Sequence, residues 1–178
     1  YYINATVSDG HFSETVGVKV QVEVATEEMV QNAILLRFQN LSPEDFVEIY
    51  LKHLKKTIQS LLVGARMAQI PEPIHIIGVQ LVTQSSQLEV LLAVKAQEGG
   101  YVEPGELALR LGELREKLGG TLKLADVLDQ SCPGDLDCGD SVCELSLKLE
   151  PADLITYGTS KVSFVLPRFV RTQTCMCS

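Results

Sequence analysis

The chain has 178 residues, enough for one sizeable domain or for one domain and part of another. Hydrophobic residues make up 46% and charged residues 21%, as in an ordinary globular protein. The net charge of −8 argues against nucleic acid and anionic lipid as partners, because both attract an excess of lysine and arginine. No apolar run approaches the roughly 20 residues of a membrane helix, so we expect this segment to be soluble.

The first 24 residues alternate between apolar and polar side chains. Ile3, Ala5 and Val7 share one face, and valines occupy every second position from Val16 to Val24. This pattern is typical of half-buried strands, and the turn at 10–14 makes the pair a hairpin. Two strands alone are marginally stable. We therefore expect the hairpin to complete a larger β-sandwich and the chain to be a segment of a longer protein.

A second pattern follows a polar joint at 25–28. Strands are predicted at 34–38, 74–82 and 88–94. Ser42 and Pro43 predict a helix start, because serine is a good N-cap and proline suits the first helical position. Apolar residues then recur at helical spacing: Phe46, Ile49, Tyr50, Leu54, Ile58, Leu61 and Leu62.

A second helix is predicted after Pro104, ending at Gly119 and Gly120. Its apolar positions are Leu107, Leu111, Leu114 and Leu118. Further strands are predicted at 144–149 and 162–166. The resulting order, β-α-β-β-α and then more strands, predicts an α+β fold. It would be a ferredoxin-like or SEA-like antiparallel sheet with both helices on one face, preceded by the hairpin.

Five cysteines fall into two groups, which are Cys132, Cys138 and Cys143, and then Cys175 and Cys177. Clustered cysteines beside Gly, Pro and Asp favour disulfides in an oxidising compartment. Cys175 and Cys177 are too close to pair comfortably, so we expect at least one bond between the groups. The odd count suggests a partner beyond Ser178. A closed zinc site is the alternative, but the spacing of the first three does not match paired zinc ligands.

Two sequons predict N-glycosylation, at Asn4 and at Asn40. Asn4 is expected on the solvent face of its strand. Asn40 is the weaker candidate, since Pro43 follows the sequon directly and Ser42 is needed as a helix cap.

Two acidic sites allow a calcium interpretation. Asp9 precedes Gly10 and fits a turn, although a carboxylate is also a preferred calcium ligand. A single carboxylate cannot supply the six to eight oxygens that calcium takes. The loop at 135–140 resembles half of an EF-hand, but Gly139 is misplaced and Ser146 stands where glutamate is required. We interpret that loop as solvated and disulfide-bonded.

Nothing in the sequence predicts an enzyme. His11, His53 and His75 lie outside any nucleophile or metal motif, and no basic residue has a defined relation to the cysteines of the tail.

Together these features resemble the Fat-type atypical cadherins. Residues 2–10 (YINATVSDG) and the valine strand resemble the last two strands of a cadherin repeat, whose usual calcium linker is replaced by 24–28. The following region is similar to the part after the final repeat, at 42–46, at 132–143, at 167–169 and at 175–178. Flamingo-type cadherins share this layout and are the alternative.

The resemblance implies four parts: the end of a cadherin repeat (1–24), a joint (25–28), a membrane-proximal domain (29–170) and the start of an EGF-like region (171–178). Asp9 matches a residue that helps bind Ca²⁺ at the junction with the preceding repeat, so a site in this segment would be incomplete. SEA domains can cleave themselves, but the turn at 84–87 lacks the required glycine, and we predict no cleavage.

The parent would be a membrane-anchored, glycosylated, calcium-dependent adhesion protein at cell junctions, with this segment outside the cell. The segment itself is predicted to connect the cadherin array to the EGF-like modules. The alternative is a module that binds the same or another cadherin through an exposed sheet face or a strand edge.

Overall fold

The structure is a computed structural model, and it describes residues 1–64, 73–82, 85–118, 122–129, 142–158 and 163–176. The chain begins with an antiparallel hairpin of β1 (Tyr2–Ser8) and β2 (Ser13–Lys19), in which every residue is exposed. The hairpin itself is confirmed, but the predicted continuation of its second strand to Val24 is wrong. The backbone of Val20 still pairs with Tyr1, and residues 21–24 form no regular secondary structure.

A four-stranded antiparallel sheet forms the centre of the fold. Its strands are β3 (Ile34–Gln39), β4 (Ile74–Val82), β5 (Gln87–Val94) and β6 (Leu124–Leu128), in the spatial order β4-β5-β3-β6. The predicted α+β class with an antiparallel sheet is confirmed. The fourth strand was not predicted, since β6 has only five residues and its sequence, LADVL, shows no clear alternation.

The helices are α1 (Glu27–Gln31), α2 (Pro43–Asp45), a π-helical turn (Phe46–Tyr50), α3 (Leu51–Gly64), α4 (Pro104–Leu111) and α5 (Leu114–Leu118). From the π-turn onward they pack on one face of the sheet, against alternate residues of β3 and β5. The expected second helix is divided at Gly112, yet its four predicted leucines are all buried.

The other face of the sheet is covered by α1 and by a long hairpin of β7 (Val142–Gly158) and β8 (Ser163–Met176). Phe169 of β8 lies in a smaller apolar cluster with Met29, Leu35, Ile77 and Leu91. The predicted strands at 144–149 and 162–166 are too short. The register shift between Glu150 and Leu154 lets the pairing continue past Pro151, where the sequence pattern breaks.

Candidate interaction surface

The helical stretch 43–64 begins as the sequence predicts but changes its geometry after one turn. The Ser42 hydroxyl accepts a hydrogen bond from the Asp45 amide at 3.1 Å and caps the start. The Leu51 amide then donates to the Phe46 carbonyl, five residues back, which defines the π-turn. This widened turn leaves Ile49 57% exposed, contrary to the predicted apolar stripe, and brings Val47 and Leu51 to the buried side.

A groove of about 420 Å³ lies beside this π-turn. Its apolar lining consists of Val47, Leu51, Pro73, Ile74 and Phe164, and its polar lining of Glu48, Lys52, Lys55, Lys56 and Gln59. Among the residues that the structure describes, none of the three lysines forms an ion pair. An apolar floor beside these ammonium groups suits an acidic, partly apolar ligand. The coincidence of this groove with a π-turn is a feature that helical spacing did not predict.

The segment just before the joint is attached to the domain through the side chain of Glu23. Glu23 Oε2 lies 3.0 Å from His75 Nδ1 on β4, and Gln21 Nε2 donates to Glu23 Oε1 at 2.7 Å. Burial raises the pKa of the Glu23 carboxyl, but His75, Gln21 and Lys55 outweigh it and lower that pKa. His75 also stacks edge-on against Tyr101 at 6.2 Å. This tie was not foreseen, because the two partners are 52 residues apart.

The joint also contains the start of α1, which was not predicted. The Thr26 hydroxyl accepts a hydrogen bond from the Met29 amide at 3.2 Å, and Met29 is buried in the smaller cluster. Residues 23 and 26 are therefore both fixed. The sequence predicts only a polar joint at 25–28, and a helix of five residues is too short for a periodic signal.

A cluster of polar side chains lies on the face of the central sheet that β7 and β8 cover. Glu89, 7% exposed, accepts hydrogen bonds from Arg37 Nε at 2.8 Å and from Gln80 Nε2 at 3.1 Å. Burial and then the charge of Arg37 lower the pKa of Arg171, which donates to the Asp129 carbonyl at 3.4 Å. Glu89 therefore has two donors, while the buried Gln80 Oε1 has no hydrogen-bond partner among the described residues. We interpret the cluster as structural, because its charged groups bind one another.

Asp9 shapes the turn of the first hairpin. Its Oδ1 accepts hydrogen bonds from the amides of His11, at 2.9 Å, and Phe12, at 2.7 Å, and Gly10 adopts a positive φ of 93°. The amides of Phe12 and His11 lower the pKa of the Asp9 carboxyl. Within the described parts of the chain, no three His, Cys, Asp or Glu side chains converge as metal ligands. The calcium role of Asp9 stays a prediction, as does the loop at 135–140, which lies outside the described residues.

The two sequons differ in their surroundings. Asn4 is exposed on β1, opposite Gly17, on the face that also carries Thr6. Asn40 is exposed with a positive φ of 53°, and the hydroxyl of its sequon serine, Ser42, is engaged as the helix cap. Glycosylation of both remains a prediction, with the geometry favouring Asn4.

The cysteines are described only in part. Cys132, Cys138 and Cys177 lie outside the described residues, whereas the backbones of Cys143 and Cys175 are Cα partners in β7 and β8. None of the helices in the part of the chain that the structure covers is long and apolar enough to cross a membrane.

Comparison with known proteins finds relatives whose similarity extends over nearly the whole chain. Protocadherin Fat 1 of Homo sapiens is 28% identical over 181 residues, 99% of this chain. Protocadherin Fat 2 of Mus musculus is 30% identical over 182 residues, the full chain. The Fat-like cadherin-related tumor suppressor homolog of Drosophila melanogaster is 24% identical over 195 residues, 99% of this chain.

The chain is homologous to a segment of Fat-type cadherins. The predicted resemblance is thereby confirmed. The chain spans 4% of the length of each of these relatives. No family model matches the chain, and no solved structure matches it.

Proposed function

We propose that this segment is a structural connector in the extracellular part of a cell-adhesion cadherin. In this proposal, residues 1–24 end the last cadherin repeat, 29–170 form a membrane-proximal domain, and 171–178 lead into EGF-like modules. The antiparallel sheet order supports a ferredoxin-like or SEA-like class for the domain, since β3, β4, β5 and β6 follow a β-α-β-β-α-β chain order.

The observation that carries the connector role is the contact between Glu23 and His75. Residues 20–26, which lead into the joint at 25–28, form no regular secondary structure, and a free linker of this length would let the hairpin reorient at little cost. The side chain of Glu23 instead reaches β4, and Thr26 caps α1 three residues later. Two anchors close together restrict rotation about the joint without requiring the calcium ions of an ordinary linker.

Backbone ¹⁵N relaxation tests this role on the whole chain. Residues 1–19 and the sheet strands are expected to share one rotational correlation time. The substitution His75→Ala should give the hairpin faster, independent motion, whereas His53→Ala, which alters an exposed side chain of α3, should not. Independent tumbling of the hairpin in the unsubstituted chain would rule out the connector.

The parent's remaining properties are part of the same proposal. It would be anchored in the plasma membrane at cell junctions, carry glycans at Asn4 and Asn40, and bind Ca²⁺ in its cadherin array. In that array Asp9 would contribute a ligand toward the preceding repeat. We propose no enzymatic activity for the segment.

A second candidate function is binding of a cadherin, on the same or another cell, and the lysine-lined groove favours it. The sequence predicts an exposed sheet face as the binding surface, but β7 and β8 cover that face. The groove is therefore the better candidate for binding a partner. Its lysines stand out in a chain with a net charge of −8, and a second copy of this chain would bring acidic groups to them.

Sedimentation velocity on the whole chain tests this second function. Self-association is expected at micromolar concentration, weakening as salt rises. Charge reversal at Lys52, Lys55 and Lys56 should abolish it. The matched control reverses three exposed lysines elsewhere, Lys95, Lys117 and Lys123, with the same change in net charge. A monomer at high micromolar concentration, or equal loss in both variants, would count against binding through the groove.

A further inference from the structure

The strand register of the long hairpin bears on how the cysteines pair. β7 and β8 pair antiparallel from Val142 opposite Met176 through Glu150 opposite Arg168, with no shift in that stretch. Within it, the Cα partner of Cys143 is Cys175. One cysteine from each of the two groups in the sequence is thus brought to the same position of the ladder.

This separation is compatible with a covalent bond. Directly opposed residues of an antiparallel pair have Cα atoms about 4.5 or about 5.5 Å apart, depending on whether the pair is hydrogen-bonded. A disulfide requires roughly 4.4–6.8 Å between its Cα atoms. Either kind of pair therefore meets the Cα requirement of a disulfide.

We propose that Cys143 and Cys175 form a cross-strand disulfide that closes the open end of the β7–β8 hairpin. The two thiols lose two protons and two electrons as the S–S bond forms. The oxidant is a second disulfide, such as glutathione disulfide, which is reduced to two thiols. The inference rests on the strand register and on an oxidising compartment, and it does not require the connector role.

The assignment leaves Cys132, Cys138 and Cys177 for other bonds. Cys177 follows Met176 directly in the sequence and lies outside the described residues. The pairing thus separates the roles of two cysteines that the sequence places almost together. The inner one closes the hairpin, and the outer one is left for Cys132, Cys138 or a cysteine outside this chain.

A disulfide map can distinguish these two cysteines. The chain, oxidised with glutathione disulfide and blocked with N-ethylmaleimide, is cleaved with cyanogen bromide, trypsin and a protease that cuts before aspartate. Cleavage after Met176 separates Cys175 from Cys177, and cleavage at Asp140 and Lys148 isolates Cys143. The expected product joins residues 140–148 to residues 172–176 by a bond that a reducing agent breaks.

Any other dominant product overturns the pairing: Cys143 joined to the 177–178 fragment, Cys143 joined to Cys132 or Cys138, or Cys143 carrying maleimide. Two neighbouring variants provide a matched check. Cys177→Ser should keep the 140–148 to 172–176 product, and Cys175→Ser should remove it. A negative map would leave the relaxation test of the connector unaffected, so the two proposals can fail separately.

Discussion

The two faces of the central sheet are covered in different ways. On the helical face, long apolar side chains of the π-turn and of α3, α4 and α5 meet alternate residues of β3 and β5 in one large cluster. On the other face, a smaller apolar cluster lies beside the polar group of Arg37, Gln80 and Glu89, and the cover is a hairpin. The cover of the helical face follows from the local periodicity of the helices, whereas the cover of the other face comes from strands near the C-terminal end of the chain.

This difference has a consequence for stability. Helical positions such as Phe46, Leu54 and Ile58 are completely buried, so each contributes both transfer free energy and packing. On the hairpin face, Phe169 packs directly over Gly78, where an added Cβ would lie 2.5 Å from the ring. The smaller cluster therefore leaves no room for a side chain at position 78.

The largest effect is expected on the helical face. Phe46→Ala should reduce the free energy of unfolding by about 3–5 kcal/mol, because the residue is fully buried and its ring lies 6.0 Å from that of Phe38. Ile49→Ala is the control, since the π-turn exposes Ile49, and it should change stability by no more than about 0.5 kcal/mol. Urea unfolding measures both. A larger loss at position 49 than at position 46 would contradict the π-turn.

A smaller loss is expected on the hairpin face. Phe169→Ala should cost about 3 kcal/mol, at the low end for a buried phenylalanine, because the cluster around it is small. Val170→Ala, at an exposed neighbour, should change stability by about 0.5 kcal/mol or less. Unchanged urea unfolding for Phe169→Ala would show that β8 does not pack on the sheet as described.

The fit at Gly78 can be tested next. Gly78→Ala should destabilise by about 1–3 kcal/mol, since its methyl group would overlap the Phe169 ring. In a Phe169→Ala background, this cost should shrink, which gives a measurable coupling energy. Gly64→Ala, with no atom within 4 Å of the added carbon, is the control and should be near neutral. Equal costs at Gly78 in both backgrounds would argue against the contact.

The smallest effect concerns the joint. The pKa of Glu23 is lowered in the folded chain, so its contribution is present above the ordinary value of 4.5 and is lost as pH falls through the lowered pKa. Because Glu23 is half-exposed, we expect about 0.5 kcal/mol. A ¹³C carboxyl titration measures the pKa, which should rise in His75→Ala. An unchanged titration in that variant would show that His75 does not hold the carboxylate.

The sequence by itself determined the features that repeat locally. Ser42 and Pro43 set the helix start, the four leucines at 107–118 are buried as their spacing predicts, and the alternation in β1 and β2 gives a hairpin. These signals are local because capping and amphipathic periodicity involve residues only a few positions apart. The Fat-type resemblance was also carried by short stretches of sequence and was confirmed by whole-chain relatives.

Tertiary structure decided the rest. The π-turn at 46–50 is favoured by burial of Val47 and Leu51, which competes with the regular spacing that had placed Ile49 inside. The contact between Glu23 and His75 joins residues 52 positions apart. The strand register that places Cys143 opposite Cys175 depends on a hairpin that contains a bulge. Such contacts are set by the packing of segments that are distant in the sequence, and local residue patterns do not predict that packing.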